Sequence, residues 1–480
     1  MNARYRYEAQ LAGRAVPMLT SLPRATALVR RPESGGISVD EPSNRSAGYL
    51  PIAALEHSEP TAVGIWDLES PAEVARPAGA GIAEARDQLV LARLHREPVA
   101  ILHIDERPGA EDRALLLSAV WRDARSEILS HAQSCRCLAT PRDAQGLGEL
   151  LEASDGSCPG RIPTRPQGLA AVIVCTIGRK DVLTRALRSL GGMHCDDFEI
   201  VVVDNRPSNL DTRTLVESFE SPVSVRYVAE SRQGLSAARN AGIAATANAS
   251  YVAFVDDDVV VDTEWLAWLL APFVRPEVQA VTGLVMPLSL QSAVEKRFEQ
   301  YAGFGKGVSG KTYDLAEHRP DRFLYPYWGG VFGSGNSMAF RREVLLAIGG
   351  FDLALGAGTP VAAGEDIAML TDVILAGGSI VYEPHSVCWH EHRSDEGSLR
   401  VQVRGYGIGL TAVFWRYLCT DWRFTLGILR SIPSVMRIVR QRSNDQQGDD
   451  GPADLIRIES RGRWVGPWRY FAGRRRLKRI

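Results

Sequence analysis

The chain predicts an α/β fold: a mostly parallel sheet flanked by helices, with a small α+β unit before it and a helical extension after it. Three observations carry this. From Leu169 onward, short apolar runs alternate with segments whose apolar residues recur at helical spacing. The runs end on polar or acidic residues at Thr176, Asp204 and Asp256, which places those residues along one edge of the sheet. At 480 residues the chain also exceeds what one ordinary core fills.

The elements follow in order. Residues 1–49 are rich in Arg, Pro, Ser and Gly without a sustained period, and predict a flexible leader. Residues 50–150 predict a small α+β domain. Its strands are 63–68, 88–94 and 99–104, with a hairpin connection at His95–Pro98. A helix follows over Ala114–His131, marked by Leu115, Leu116, Ala119, Val120 and Ile128. No chemistry is legible in this unit. A loose Pro/Gly/Ser stretch around 154–167 separates it from an α/β domain over 168–400. There the predicted strands are 171–175, 198–203, 223–228 and 251–255. One helix carries Val182, Leu183, Ala186, Leu187 and Leu190, and another spans Gly234–Ala245. Residues 401–480 read as a helical, basic extension.

Composition narrows the functional classes. The chain is 45% hydrophobic and 23% charged, as in soluble globular proteins, and its net charge of −2 gives no general pull toward nucleic acid. Seven cysteines at irregular spacing, several in apolar segments, read as reduced residues of a cytoplasmic protein. The first 30 residues lack the apolar core of a secretory signal, and no stretch is long and apolar enough to span a bilayer.

The densest chemical signal is Ala253-Phe254-Val255-Asp256-Asp257-Asp258, an apolar run that ends in three carboxylates. Adjacent acids repel one another, so folding alone does not favour them at a partly buried strand end. A hard divalent cation such as Mg²⁺ or Mn²⁺ wants that oxygen-rich place. The plain alternative is an acidic loop, and the neighbouring strand ends decide against it.

Taken together, these motifs resemble the inverting family 2 glycosyltransferases of the GT-A fold, over about residues 169–410. Thr176-Ile177-Gly178-Arg179 stands at the family's Thr-x-x-Arg turn, and Val202-Val203-Asp204-Asn205 at its second strand. Gly234 to Gly242, with Arg239 and Asn240, matches the donor-side helix, and Asp256–Asp258 the metal motif. Gly333-Ser334-Gly335-Asn336, Gly349-Gly350-Phe351-Asp352, Gly364-Glu365-Asp366 and Trp389 to Arg393 continue the pattern.

The resemblance implies transfer of a sugar from a nucleoside-diphosphate sugar to a hydroxyl of a glycan, lipid-linked or cell-envelope acceptor. It implies donor contacts at Thr176, Arg179, Asp204, Arg239, Asn240, Asp256 and Asp257. Asp256, Asp258 and His390 are the implied metal ligands, with His392 as the alternative imidazole. Glu365, Asn336 and Arg393 are implied on the acceptor side. Asp366 is the implied general base, its competing role being a helix cap. Asn205-Arg206-Pro207 departs from the family's usual continuation and leaves the base of the donor open. Gln402 to Tyr406 does not match the Gln-x-x-Arg-Trp motif of processive synthases, which favours a non-processive enzyme. Two other readings are a sugar nucleotidyltransferase and a non-catalytic sugar-binding scaffold protein. The first usually has a Gly-rich phosphate loop after strand one, where Cys175–Asp181 has a single glycine.

Gly407–Arg440 predicts one or two amphipathic helices, and Ser443–Pro452 an acidic linker. From Arg457 to Ile480, nine Lys/Arg face one acid, interleaved with Trp464, Trp468, Tyr470 and Phe471. That mixture suits peripheral contact with an anionic membrane, here its cytoplasmic face.

Overall fold

The computed structural model describes residues 60–69, 75–79, 87–104, 113–135, 146–152, 163–208, 210–321, 324–327, 329–420, 425 and 453–477. The expected leader over 1–49 and linker over 443–452 lie outside these residues, as does most of 421–440.

Three apolar runs form the first sheet: β1 (Thr61–Asp67), β2 (Asp87–Leu94) and β3 (Glu97–Ile104). β1 and β2 are parallel, and β2 and β3 form the hairpin expected from sequence. His95 and Arg96 both take positive φ at its two-residue turn, the backbone twist that matches paired strands. One sheet face (Trp66, Val90, Ala92, Leu94, Leu102) packs against Leu117, Val120, Ala124 and Ile128 of α1 (Arg113–Cys135), and Leu147 of α2 (Leu147–Glu152) joins that core. The opposite face (Val63, Ile65, Leu89, Leu91, Ile101) shares its core with the larger sheet. The small sheet therefore has no solvent face of its own.

The larger sheet begins with β4 (Ala170–Thr176), α3 (Lys180–Gly191), β5 (Phe198–Asp204), α4 (Asp211–Glu217), β6 (Val225–Ala229), α5 (Leu235–Ala245) and β7 (Tyr251–Asp256). These four strands are parallel, because each returns through a helix to the same side. Their register matters for function. Thr176 lies opposite Asp204 and Cys175 opposite Asp256, so the polar ends form one row.

β8 (Val259–Val261), α6 (Trp265–Leu270), β9 (Val278–Pro287), α7 (Ala293–Ala302) and β10 (Lys311–Tyr313) come next. They are followed by β11 (Ser337–Arg341), α8 (Arg342–Ile348), α9 (Glu365–Leu375) and β12 (Ser379–His390). The order is β10-β12-β9-β11-β7-β4-β5-β6, with β8 on β12. This part of the sheet is mixed. β11 runs antiparallel between β7 and β9, while β9 and β12 are parallel. α5 approaches β4 closely: a Cβ at Gly242 would lie 2.7 Å from Ile173. α10 (Glu396–Thr420), α11 (Ala453–Arg463) and α12 (Gly466–Leu477) close the fold, with Ile408, Ala412, Val413, Tyr417 and Tyr470 in a core with Leu355, Val361 and Ala368.

Candidate active site

Three strand ends and the first turn of α9 converge on the carboxyl edge of the sheet. At the end of β4, Thr176 Oγ1 donates to Asp257 Oδ2 (2.6 Å). Arg179 reaches both Asp257 and Asp258, donating from Nη2 to Asp258 Oδ2 at 3.0 Å. Asp257 is buried with both oxygens engaged, so it orients Thr176 and Arg179 rather than facing a donor as expected. Burial pushes its pKa up, repulsion from Asp258 adds to this, and Arg179 opposes it. Asp204, at the end of β5, is buried; it accepts from the Arg206 N–H (2.9 Å) and the Tyr227 hydroxyl (3.2 Å).

Arg239 is the central cation. Its guanidinium is buried, and donates to Glu365 Oε1 (3.0 Å), the Gly335 carbonyl (3.3 Å) and Asp256 Oδ1 (3.4 Å). The faces of Phe254 and Phe351 hold it at 5.8 and 5.3 Å from their ring centres. Asp256 keeps 30% of its side chain exposed and is the open acid of the triplet. Burial pushes its carboxyl up to about 7 against the pull of Arg239, with Asp258 and Asp257 adding to the rise. Glu365 is likewise pushed up to about 7, by burial first and by Asp366 next.

Asp366 sits in the first turn of α9, where the helix dipole favours its anion. Its Oδ2 accepts from the Gly335 N–H (3.0 Å) and its Oδ1 from the Ile367 N–H (2.8 Å). A Cβ at Gly335 would stand 2.8 Å from Asp366 Oδ2, so only glycine lets this backbone support the carboxylate so closely. The second bond satisfies one N–H of the first helical turn, whose N-cap is Gly364; the first ties the carboxylate to the Gly333–Asn336 turn across the site.

A relay of side chains sets the orientation of His390. Glu299 Oε2 accepts from His392 Nε2 (2.7 Å), which leaves His392 Nδ1 to accept from His390 Nδ1 (3.1 Å). His390 Nε2 then carries its lone pair toward Asp258 Oδ1 at 3.5 Å. Burial pushes the His390 imidazole down to about 4, which keeps it neutral near pH 7. Burial works upward on the Asp258 carboxyl, but the positive charge His390 takes on at low pH, together with Arg179 and Arg393, outweighs burial and holds it below the usual range. A neutral ring nitrogen and a carboxylate oxygen facing each other, with a carboxylate–His pair behind the ring, suit a divalent cation. Asp258 and His390 could thus hold Mg²⁺ or Mn²⁺ directly, with Asp256 beside them as a partner through water. Among the described residues no three His, Cys, Asp or Glu side chains close on one point, so further ligands would come from substrate phosphate and water.

The structure brings Thr176, Arg179, Asp256, Asp257, Asp258, His390, Arg239, Glu365 and Asp366 together, and departs from sequence expectation elsewhere. Asn240, expected at the donor, has both sides of its amide on the Phe351 backbone, donating at 2.9 Å and accepting at 2.8 Å, so it fastens α5 to the following loop. Asn336, expected at the acceptor, is buried and bonded through its carbonyl to Ser334. Arg393, expected at the acceptor, is half-exposed and lies 3.7 Å from Asp258 Oδ2. Sequence reading missed Glu299, because nothing in Ala293–Ala302 marks it apart from a helix acid. The one available signal was the paired His390 and His392, which implied a carboxylate behind one of them.

The strand ends that carry acids around a buried arginine lie at the carboxyl edge of the α/β sheet, where such sheets bind ligands. Residues 171–349 match the family model described as glycosyl transferase family 2. A pre-mycofactocin glycosyltransferase of Mycobacterium tuberculosis is 26% identical over 235 residues, covering 49% of this chain and 45% of the relative. The succinoglycan biosynthesis protein ExoM of Rhizobium meliloti is 28% identical over 222 residues, 44% of this chain and 63% of the relative. The chain thus spans less than two thirds of these relatives. Among solved structures, the mannosyltransferase PcManGT of Pyrobaculum calidifontis, in complex with GDP-Man and Mn²⁺, is 17% identical. The match has a TM-score of 0.42 and covers 74% of this chain and 98% of that one.

Proposed function

We propose that the protein is an inverting, non-processive glycosyltransferase that moves a sugar from a nucleoside-diphosphate donor to a hydroxyl of a glycan or lipid-linked acceptor. One observation carries the reading. Buried Arg239 holds both Asp256, the open acid of the triplet, and Glu365, the neighbour of Asp366. The donor side and the acceptor side of the site therefore meet on one residue.

Asp204 and Thr176 bound the donor end of the edge, and Arg179 neutralises Asp257 and Asp258. Mg²⁺ or Mn²⁺ at Asp258 and His390, with Asp256 beside them, would neutralise charge growing on the leaving diphosphate. Asp366 takes the proton of the acceptor hydroxyl. The freed oxygen bonds to the anomeric carbon as the bond from that carbon to the diphosphate oxygen breaks, and the nucleoside diphosphate leaves. Two backbone N–H groups fix the position of the Asp366 carboxyl oxygens.

The test is Asp366→Asn, assayed with UDP- and GDP-sugars. Transfer is expected to fall 10²-fold or more, on the scale of a lost general base, while donor affinity stays close to that of the native chain. Near-native transfer would reduce Asp366 to a structural residue of the first turn of α9. Pyrophosphate release from a nucleoside triphosphate and sugar phosphate would mark a nucleotidyltransferase instead.

A further inference from the structure

The two C-terminal helices have one face in the protein and another in solvent. On the inner face Leu455, Gly462, Gly466, Tyr470 and Gly473 are buried. The Tyr470 hydroxyl donates to Asp352 Oδ2 (2.9 Å), and Gly473 lies against Ala354. Arg469 Nη1 reaches the Pro360 carbonyl at 3.5 Å. α12 is thus fastened to the loop 352–364, which leads directly into Asp366.

The outer face is built differently. Trp464, in the turn between the helices, is 83% exposed; Trp468 is 76% exposed and Phe471, three residues on along α12 and edge-on against Trp415, 40%. Exposed arginines surround them: Arg457 and Arg461 on α11, and Arg469, Arg474, Arg475 and Arg476 on α12. The two acids of these helices are already paired, Asp454 with Arg297 and Glu459 with Arg463. Indole rings set among uncompensated guanidinia match the headgroup level of an anionic bilayer, where the rings enter the interface and the cations meet phosphate. No helix among the described residues is long and apolar enough to cross a membrane, so this face is a surface contact.

We propose that α11 and α12 dock on an anionic lipid surface through their outer face, which brings the loop 352–364, fastened to their inner face, to within one helix diameter (~10 Å) of it and so sets the site near an acceptor hydroxyl carried by a lipid. The docking stands on the exposed face alone; the acceptor clause rests on the transferase reading above.

The experiment uses the full chain with vesicles of phosphatidylcholine alone or mixed with phosphatidylglycerol. Sedimentation should show binding only to the mixed vesicles, weakening as salt shortens the Debye length from about 10 Å at 0.1 M to about 3 Å at 1 M. R474Q/R475Q/R476Q should weaken binding on the order of 100-fold, from roughly fivefold for each charge lost. W464S/W468S should lose the blue shift of tryptophan fluorescence on binding. On mixed vesicles, amide exchange should slow in α12 and in 352–364. Full-length protein that ignores mixed vesicles at low salt overturns the proposal, as does binding that both variants keep. Dimerisation without vesicles that W464S/W468S abolishes overturns it too, since a second copy would then cover that face. Bound protein with unchanged exchange at 352–364 overturns the placement of the loop. Vesicle binding needs no donor, so an inactive chain that binds would fail the transferase reading alone.

Discussion

The joint between the small sheet and the main sheet and the edge where β4, β5 and β7 end are both rich in charge, and they arrange it differently. At the joint, Arg93 lies between Asp67 (2.8 Å) and Asp262 (3.2 Å), and Arg96 meets Glu264 at 2.9 Å. His385 is held by Glu383 on its own strand and by Glu97 of β3 at 3.2 Å, with its ring stacked on Trp268. Each cation there has its acids, and the result is a fixed contact. At the edge, Asp256, Asp257, Asp258, Glu365 and Asp366 crowd around Arg179, Arg239 and Arg393. Burial raises Asp256 and Glu365 to about 7 there. The count of charges is the same in both places, five acids to three cations; what differs is that the joint pairs its groups across two sheets, whereas the edge gathers its acids at strand ends and leaves Asp256 partly open.

The largest test of this contrast is Arg239→Met. It leaves buried Glu365 without its cation and partly open Asp256 without its partner, and removing one partner of a buried pair typically costs about 3–5 kcal/mol. Urea unfolding should show a loss of that order. A loss under about 1 kcal/mol would mean the edge does not depend on its central cation.

Glu299→Gln should act on binding. The relay through His392 would lose the carboxylate that fixes the ring of His390, and second-shell losses of this kind cost about 10–100-fold in metal affinity. Calorimetric titration with Mn²⁺ reads this directly, and unchanged affinity would remove His390 from the cation site.

The smallest effect concerns the joint. His385 is raised to about 9: burial opposes the charge, and the hydrogen bonds its ring donates to Glu383 and Glu97 outweigh it. A raised folded-state value means its contribution is complete below the unfolded value of about 6.5 and is lost as pH climbs through 9. Melting temperature should therefore decline between pH 7 and pH 10, and less so in His385→Gln. An identical decline in both proteins would assign the pH dependence elsewhere.

Much of the edge is legible in sequence because it is local. Val255-Asp256 joins a strand to an acid within one bond, and β-strand periodicity alone carries Thr176, Asp204 and Asp256 to the same row. What fails is what depends on distant partners. Asn240 lies in the right helix, but its amide meets a loop that begins past residue 349, and only the fold brings them together. Glu299 stands 93 residues from His392, with nothing local to connect them. The parallel pairing of β1 and β2 was equally hidden, since either direction would bury the same apolar residues.

The placement of β11 has a consequence for how the chain is made. It is the strand that joins β7 to β9, and both of those precede it in the chain. As the polypeptide leaves the ribosome, Tyr251–Asp256 and Val278–Pro287 are complete while Ser337–Arg341 is still being synthesised. During that interval two apolar strands carry open hydrogen-bonding edges, the form most prone to pairing with another nascent chain. Until Ser337–Arg341 emerges, the acids at the end of β7 have one neighbouring strand instead of two. Assembly of the edge therefore waits on five residues that contribute no group to its chemistry.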